Sequence, residues 1–340
     1  DRRGFLRSCT ALGLAGMFSA SLPAGSSSTD PSQRPNVLFL ICDDLNDWVF
    51  DPAGHQQART PHMDRLRRRS VSFTNAHSVV PVCGPSRNCT WLGCYPQRHG
   101  HYGFASWKNI PLLRRSVPMQ QHFARHGYTV HGTGKLFHRG KGGDFYDSWG
   151  IGPNYGPWPW KGQGAEKYTA HPDQIELFSP TLDVGIHRDI NFGPLSNVPH
   201  WKPDPQKDIP GYDGWRMFGE PFHYDGPQDR DRMPDEISAD HAAKVLRQKH
   251  DRPLFLGVGF VRPHTPLYAP QKYFDMFPLD EVTLPPYLPD DLEDCAPALR
   301  HRWKLGFQKF DALMEGGGRE LWKRWVRAYL ACTAFVDDQV

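Results

Sequence analysis

Four short clusters carry the side-chain types that hold a cation, make a nucleophile or bind an oxyanion. The first is Asp43-Asp44. Adjacent carboxylates repel one another, and a hard divalent cation relieves that repulsion; a solvated turn or a helix cap uses the same pair. The second is Cys83-Gly84-Pro85-Ser86-Arg87. Pro85 can open a helix and place Cys83 at its N-terminus, where exposed N–H groups favour an anion. Arg87 adds a rigid fork of donors suited to a tetrahedral oxyanion. A cysteine beside proline is otherwise an ordinary core residue. The third is Gly134-Lys135-Leu136-Phe137-His138. Alone, it also reads as a solvated cation and a hydrogen-bonded loop histidine. The fourth is Arg262-Pro263-His264-Thr265-Pro266. His264 is either a structural group in a proline-stiffened turn or a proton donor with a pKa near neutrality.

These clusters need a scaffold. Asn36 to Cys42 is a continuous apolar run, the pattern of a strand buried on both faces, and Leu254 to Phe260 repeats it. Thr60-Pro61 predicts a helix to about Arg69, with a hydroxyl N-cap and proline at the first helical position. Val71 to Asn75 predicts a further strand, Pro118 to His126 a short helix and Tyr128 to His131 another strand. Asp235 to about Lys249 predicts a helix with Ile237, Ala242, Val245 and Leu246 on one arc. Trp322, Trp325, Val326, Tyr329, Thr333, Val336 and Val340 recur at steps of three and four, the apolar stripe of a last helix. Strands alternating with helices predict an α/β fold, a mostly parallel central sheet flanked by helices. Ligands gather beyond the carboxyl ends of such strands, where all four clusters fall. Residues 139–234 are rich in Gly, Pro, Trp and Asp without periodicity, and are expected to form an insertion that shapes a pocket.

Composition narrows the function classes. Forty basic against 37 acidic side chains leave a net charge of +3, so no polybasic footprint points to nucleic acid. No run of 18 apolar residues argues for a stable membrane span. Seven cysteines without paired CxxC units fit neither a disulfide scaffold nor a structural zinc site. Arg2-Arg3-Gly4-Phe5-Leu6-Arg7, the apolar stretch that follows and a Ser-rich linker resemble a twin-arginine export signal. Residues 1–33 are therefore expected to be a targeting segment, and the protein to be periplasmic or extracellular. The chain opens on Asp1 and stops at Val340 inside a helical pattern. It reads as an N-terminal fragment whose domain, residues 34–340, is incomplete at its C-terminus.

Taken together, the clusters resemble the formylglycine-dependent sulfatases of the alkaline phosphatase superfamily, most of all the iduronate-2-sulfatase branch. The family has a strand ending in Asp-Asp, then a Thr-Pro-x-x-Asp-x-Leu helix, here Thr60-Pro61-His62-Met63-Asp64-Arg65-Leu66. Its Cys-x-Pro-Ser-Arg core is intact from Cys83 to Arg87, whereas Leu92 and Cys94 replace the Thr and Arg of the signature's second half. Gly-Lys-x-Phe-His and Pro-His-x-Pro also match. The resemblance implies that a formylglycine-generating or sulfatase-maturing enzyme oxidises Cys83 to an aldehyde, which hydrates to a gem-diol. One diol oxygen would attack sulfur in line while the alcohol leaves, and the second hydroxyl would then expel sulfate by elimination and restore the aldehyde. Asp43, Asp44 and the modified Cys83 would hold one Ca2+, Lys135 would contact the sulfate, His138 would handle a proton on the diol, and His264 would stand beside the leaving group. The remaining metal ligands and a second lysine would lie past Val340, because Asp240-His241, Asp337 and Asp338 fall within predicted helices.

The implied substrate is a sulfated saccharide. Trp149, Trp158, Trp160 and Trp201 either stack on sugar rings or pack under the long insertion, and Arg139 and Lys141 are available for a second anionic group. The whole protein is expected to hydrolyse sulfate esters, and this chain alone to be weakly active or inactive. Two other readings stay open: a phosphate or phosphonate ester hydrolase of the same superfamily, and a non-catalytic exported carbohydrate-binding relative.

Overall fold

The computed structural model describes residues 34–50, 54–159, 191–201, 212–289, 291–297 and 305–340. The expected export segment, residues 1–33, lies outside them. The strands that position the site are β1 (Val37–Cys42), β2 (Thr129–Gly134), β3 (Ser148–Trp149), β4 (Phe192–Pro194), β5 (Leu254–Phe260) and β6 (Leu267–Ala269). The helices are α1 (Pro61–Arg67), α2 (Cys83–Leu92), α3 (Met119–Arg125), α4 (Pro234–Leu246) and α5 (Leu305–Gln339), the last broken at Gly318.

The main sheet runs β1-β5-β2-β3, parallel at every pairing, and β6 and β4 pair in parallel as a separate two-stranded sheet. Every residue of β5 is buried, as a strand covered on both faces requires. Leu254, Leu256, Val258 and Phe260 meet Met63 of α1, Ala242 and Val245 of α4 and Val336 of α5. Phe255 points the other way, to Trp91 of α2, Val130 and Phe137. Burying one such side chain contributes about 1.5–3 kcal/mol, so this two-sided packing holds the sheet edge that carries the site. Among the described residues no helix is long and apolar enough to cross a membrane.

Four local expectations fail. β1, expected to be buried on both faces, is only half-buried, with Leu38 47% exposed, because it ends the sheet order and pairs on one side only among the described residues. Val71 to Asn75 forms no strand, and Val71 and Phe73 are 80% and 83% exposed. Apolar alternation was the whole signal, and a strand also needs a neighbour whose ladder it can join. The Thr60 hydroxyl does not cap α1. Asp337 of α5 does so instead, its two oxygens accepting from the N–H groups of Met63 at 2.8 Å and His62 at 3.0 Å. Leu246, expected on the buried arc of α4, is half exposed at the helix end.

Candidate active site

Asp43 follows β1 directly, and its N–H donates to the Phe260 carbonyl of β5 at 3.2 Å. The chain then turns at Asp44, whose φ of 57° lies in the left-handed region. Asp43 is buried, while the Asp44 side chain is 59% exposed. Lys135 follows β2 just as closely. Gly134 takes φ 71°, and the Lys135 N–H donates to the Gly259 carbonyl at 2.6 Å. A Cβ at Gly259 would collide with the Lys135 carbonyl, so glycine is required where this turn crosses β5. Lys135 is fully buried and its Nζ pairs with Asp43 Oδ2. Arg87, from the first turns of α2, donates through Nη2 to Asp43 Oδ1 at 2.9 Å and through Nη1 to the carbonyls of Lys135 and Leu136.

The three groups form one charge system. Burial alone would push the Asp43 carboxyl up, but Arg87 and then Lys135 outweigh it and hold Asp43 below the usual carboxylate range. Burial pulls the Lys135 ammonium down, and the charge of Asp43 opposes that.

The cluster stands at the wall of a cleft of about 1860 Å³ lined by Asp44, Cys83, His138, His264, Tyr155 and Trp158, among others. Cys83 opens α2, with Val82 as a cap residue that offers no side-chain bond. Burial pushes its thiol up; Lys135 pulls it down, and Asp43 and Asp44 push it up again, so all three charges reach the sulfur. His264 is anchored at Nδ1 by the Thr265 carbonyl at 2.6 Å, which leaves Nε2 facing Asp44 at 3.5 Å and Asp43 at 4.0 Å. Burial lowers its pKa, Lys135 adds to that, and the two aspartates oppose it. His138 packs against Phe104 with ring centroids 4.9 Å apart and the rings tilted by 41°, and burial, then Lys135 and Arg139, lower its pKa to about 4. The structure thus brings together all seven residues singled out in the sequence: Asp43, Asp44, Cys83, Arg87, Lys135, His138 and His264.

A hard cation would find suitable oxygen donors here. Asp44 has room in the cleft, whereas Asp43 is already shared between Arg87 and Lys135. Two carboxylates and position 83 fall short of the roughly six to eight oxygens that calcium takes, so the described residues supply part of a shell. The set fits the ion in donor type: Arg87 and Lys135 balance the charge of Asp43, while the Asp44 carboxylate stays open to the cleft. The three other aspartates weighed in the sequence are committed elsewhere. Asp337 caps α1, Asp338 accepts from Tyr273 at 2.6 Å, and Asp240 pairs with Arg232 at 3.0 Å.

Sequence reading missed several residues. The Tyr155 ring lies 4.4 Å from Lys135 Nζ and 5.0 Å from the His264 ring, and it comes from a Gly- and Pro-rich stretch without periodicity. Asp235 and Arg262 tie down the loop that carries His264. Of the tryptophans, Trp149 packs on Tyr146 at 4.7 Å, and Trp158 lines the cleft. Trp160 and the side chain of Trp201 lie outside what the structure describes.

The family profile described as Sulfatase matches residues 35–340. A sulfatase of Formosa agariphila is 31% identical over 318 residues, covering 90% of this chain and 54% of that protein. Human iduronate 2-sulfatase is 27% identical over 348 residues, covering 98% of this chain and 53% of that protein. The chain therefore spans about half the length of the curated relatives it matches. Among solved structures, a phosphonate monoester hydrolase from Silicibacter pomeroyi superposes with a TM-score of 0.53 at 20% identity, over 90% of this chain and 57% of that one. That likeness shows the fold.

Proposed function

From the premise that the chain belongs to the sulfatase family, we propose that the whole protein hydrolyses sulfate esters of a saccharide, with formylglycine made from Cys83 as nucleophile and calcium as its metal. The observation that carries this reading is the meeting of Cys83, two carboxylates, two buried cations and two histidines at one cleft wall. An unmodified Cys83 is a poor nucleophile, because burial pushes the thiol up and away from thiolate. Oxidised and hydrated, position 83 would supply an oxygen nucleophile, and calcium at Asp43 and Asp44 would neutralise charge on the sulfate.

The remaining residues have distinct tasks. Arg87 and Lys135 keep Asp43 ionised and surround it with positive charge. His264, with Nδ1 tied to Thr265, offers Nε2 for a proton to the departing alkoxide. His138, held neutral above about pH 4, can accept a proton at position 83. The likeness to iduronate 2-sulfatase supports a sulfated sugar as substrate. The Arg2-Arg3 segment supports export, with a maturing enzyme acting on Cys83 beforehand.

The test is a desulfation screen of the whole protein, matured and supplied with calcium, on defined sulfated saccharides and matched phosphonate esters. The expected result is sulfate release that Cys83→Ala abolishes, with a peptide mass at position 83 showing the aldehyde. Faster turnover of phosphonates, or an unmodified thiol in active protein, would overturn the proposal.

A further inference from the structure

Arg139 bears on the chemistry above only through its charge on His138, and Lys141 takes no part in it; their position gives both another role. Both line a second cavity of about 260 Å³ together with Lys108. This side pocket shares Phe104, His138, Arg139 and Gly140 with the main cleft, so the two spaces have one wall in common. One carboxylate faces it, Asp144, which pairs with Lys141 at 2.7 Å. Lys108 and Arg139 form no ion pair among the described residues, and the Lys108 ammonium lies 5.7 Å from the Trp107 ring. The pocket is therefore net positive and opens beside His138.

We propose that this side pocket is a second anion subsite, which takes a carboxylate or a second sulfate of the same saccharide whose sulfate ester lies at position 83. The preferred substrate is then a polyanionic saccharide and not a neutral sugar bearing one sulfate. The inference rests on the proposed function for the identity of the first anion. Chemistry supports the second. A guanidinium presents paired donors that match a carboxylate or a sulfate edge, and the lysines add point charge on either side. Because these cations are exposed, the preference will weaken as salt rises.

The test is calorimetric binding to the Cys83→Ala variant of the whole protein with calcium present, so that turnover plays no part. Three disaccharide probes are compared: neutral with one sulfate, neutral with two sulfates, and one sulfate beside a uronate. The expected result is roughly tenfold tighter binding of one or both dianionic probes, about 1.4 kcal/mol. Which of them gains distinguishes a sulfate from a carboxylate pocket. That advantage should collapse in Lys108→Ala/Arg139→Ala and grow in Asp144→Asn, with far-ultraviolet circular dichroism unchanged. Equal binding of all three probes, binding of none, or an advantage that survives the double substitution would overturn the subsite. A preference that persists in a protein found to release no sulfate would instead count against the catalytic reading alone.

Discussion

Two buried aspartates flank the site and are built in opposite ways. Asp235, in the first turn of α4, spends both oxygens on backbone: it accepts from the N–H of Val261 at 2.7 Å and of Arg262 at 2.8 Å. The Arg262 guanidinium in turn donates to carbonyls, of Tyr268 at 2.9 Å and of Tyr155 and Gly156 at 3.2 Å. Burial pushes the Asp235 carboxyl up, and Arg262 and the two N–H groups pull it back only in part. Asp43 spends its oxygens on side-chain cations, and there the cations win. Backbone partners fix where a loop goes; side-chain partners fix how much charge a site holds. The Asp235 network sets the Val261–His264 turn, whereas the Asp43 network borders the cleft and stores positive charge beside it.

The contrast breaks most sharply on charge removal. Asp43→Asn leaves Arg87 and Lys135 buried without a counter-charge, which should cost about 3–5 kcal/mol of stability and abolish turnover. Asp235→Asn keeps one acceptor but turns an amide N–H toward a backbone donor, and should cost about 1–3 kcal/mol. Denaturant melts of both variants check this, and the comparison is wrong if Asp235→Asn proves the costlier. Replacing Asp43, Arg87 and Lys135 together by Leu, Met and Met should recover most of the stability lost in Asp43→Asn while remaining inactive. Recovery of turnover as well would show that the charges are mere scaffold.

A smaller effect is expected at His264, which both networks touch. His264→Ala in the whole protein should lower turnover of alkyl sulfates by roughly 10²–10⁴-fold, the usual share of a general acid. Esters of acidic phenols, whose leaving groups need no proton, should lose far less. Equal losses on both kinds of ester would show that His264 positions the substrate and moves no proton.

These contrasts were only partly legible in the residues. The apolar runs of β1 and β5 place both strands to within a residue, but only β5 is buried throughout; β1 is half-buried, with Leu38 47% exposed. The clusters at the strand ends also declare themselves, since a parallel sheet brings its carboxyl ends to one edge. What stayed hidden is pairing. Nothing near Asp43 in the chain says that Arg87 and Lys135, 44 and 92 residues away, would take its oxygens. Asp337 capping α1 from 274 residues away is of the same kind. Tyr155 was hidden for another reason: a segment shaped by Gly and Pro has no period from which to infer a direction. Val71 and Phe73 mark the reverse error, a good pattern with no neighbour to complete it.

The smallest effect concerns His138, whose imidazole is held at about 4 against an ordinary 6.5, by burial first and then by Lys135 and Arg139. As pH falls through about 6.5, the unfolded chain takes up a proton that the folded chain refuses until about 4. Across that window the unfolded state binds more protons, so stability rises with pH and drains away on acidification. His138→Gln removes this contribution. The slope of unfolding free energy against pH should flatten by close to one proton between about pH 4 and 6.5, with little change above it. Arg139→Ala should flatten it by less, since it removes one repulsion and leaves burial and Lys135 in place. Urea melts at half-unit pH steps separate the two variants. An unchanged slope in His138→Gln would mean that the imidazole titrates freely in the folded chain, and that the positive charge gathered on Asp43 does not reach it.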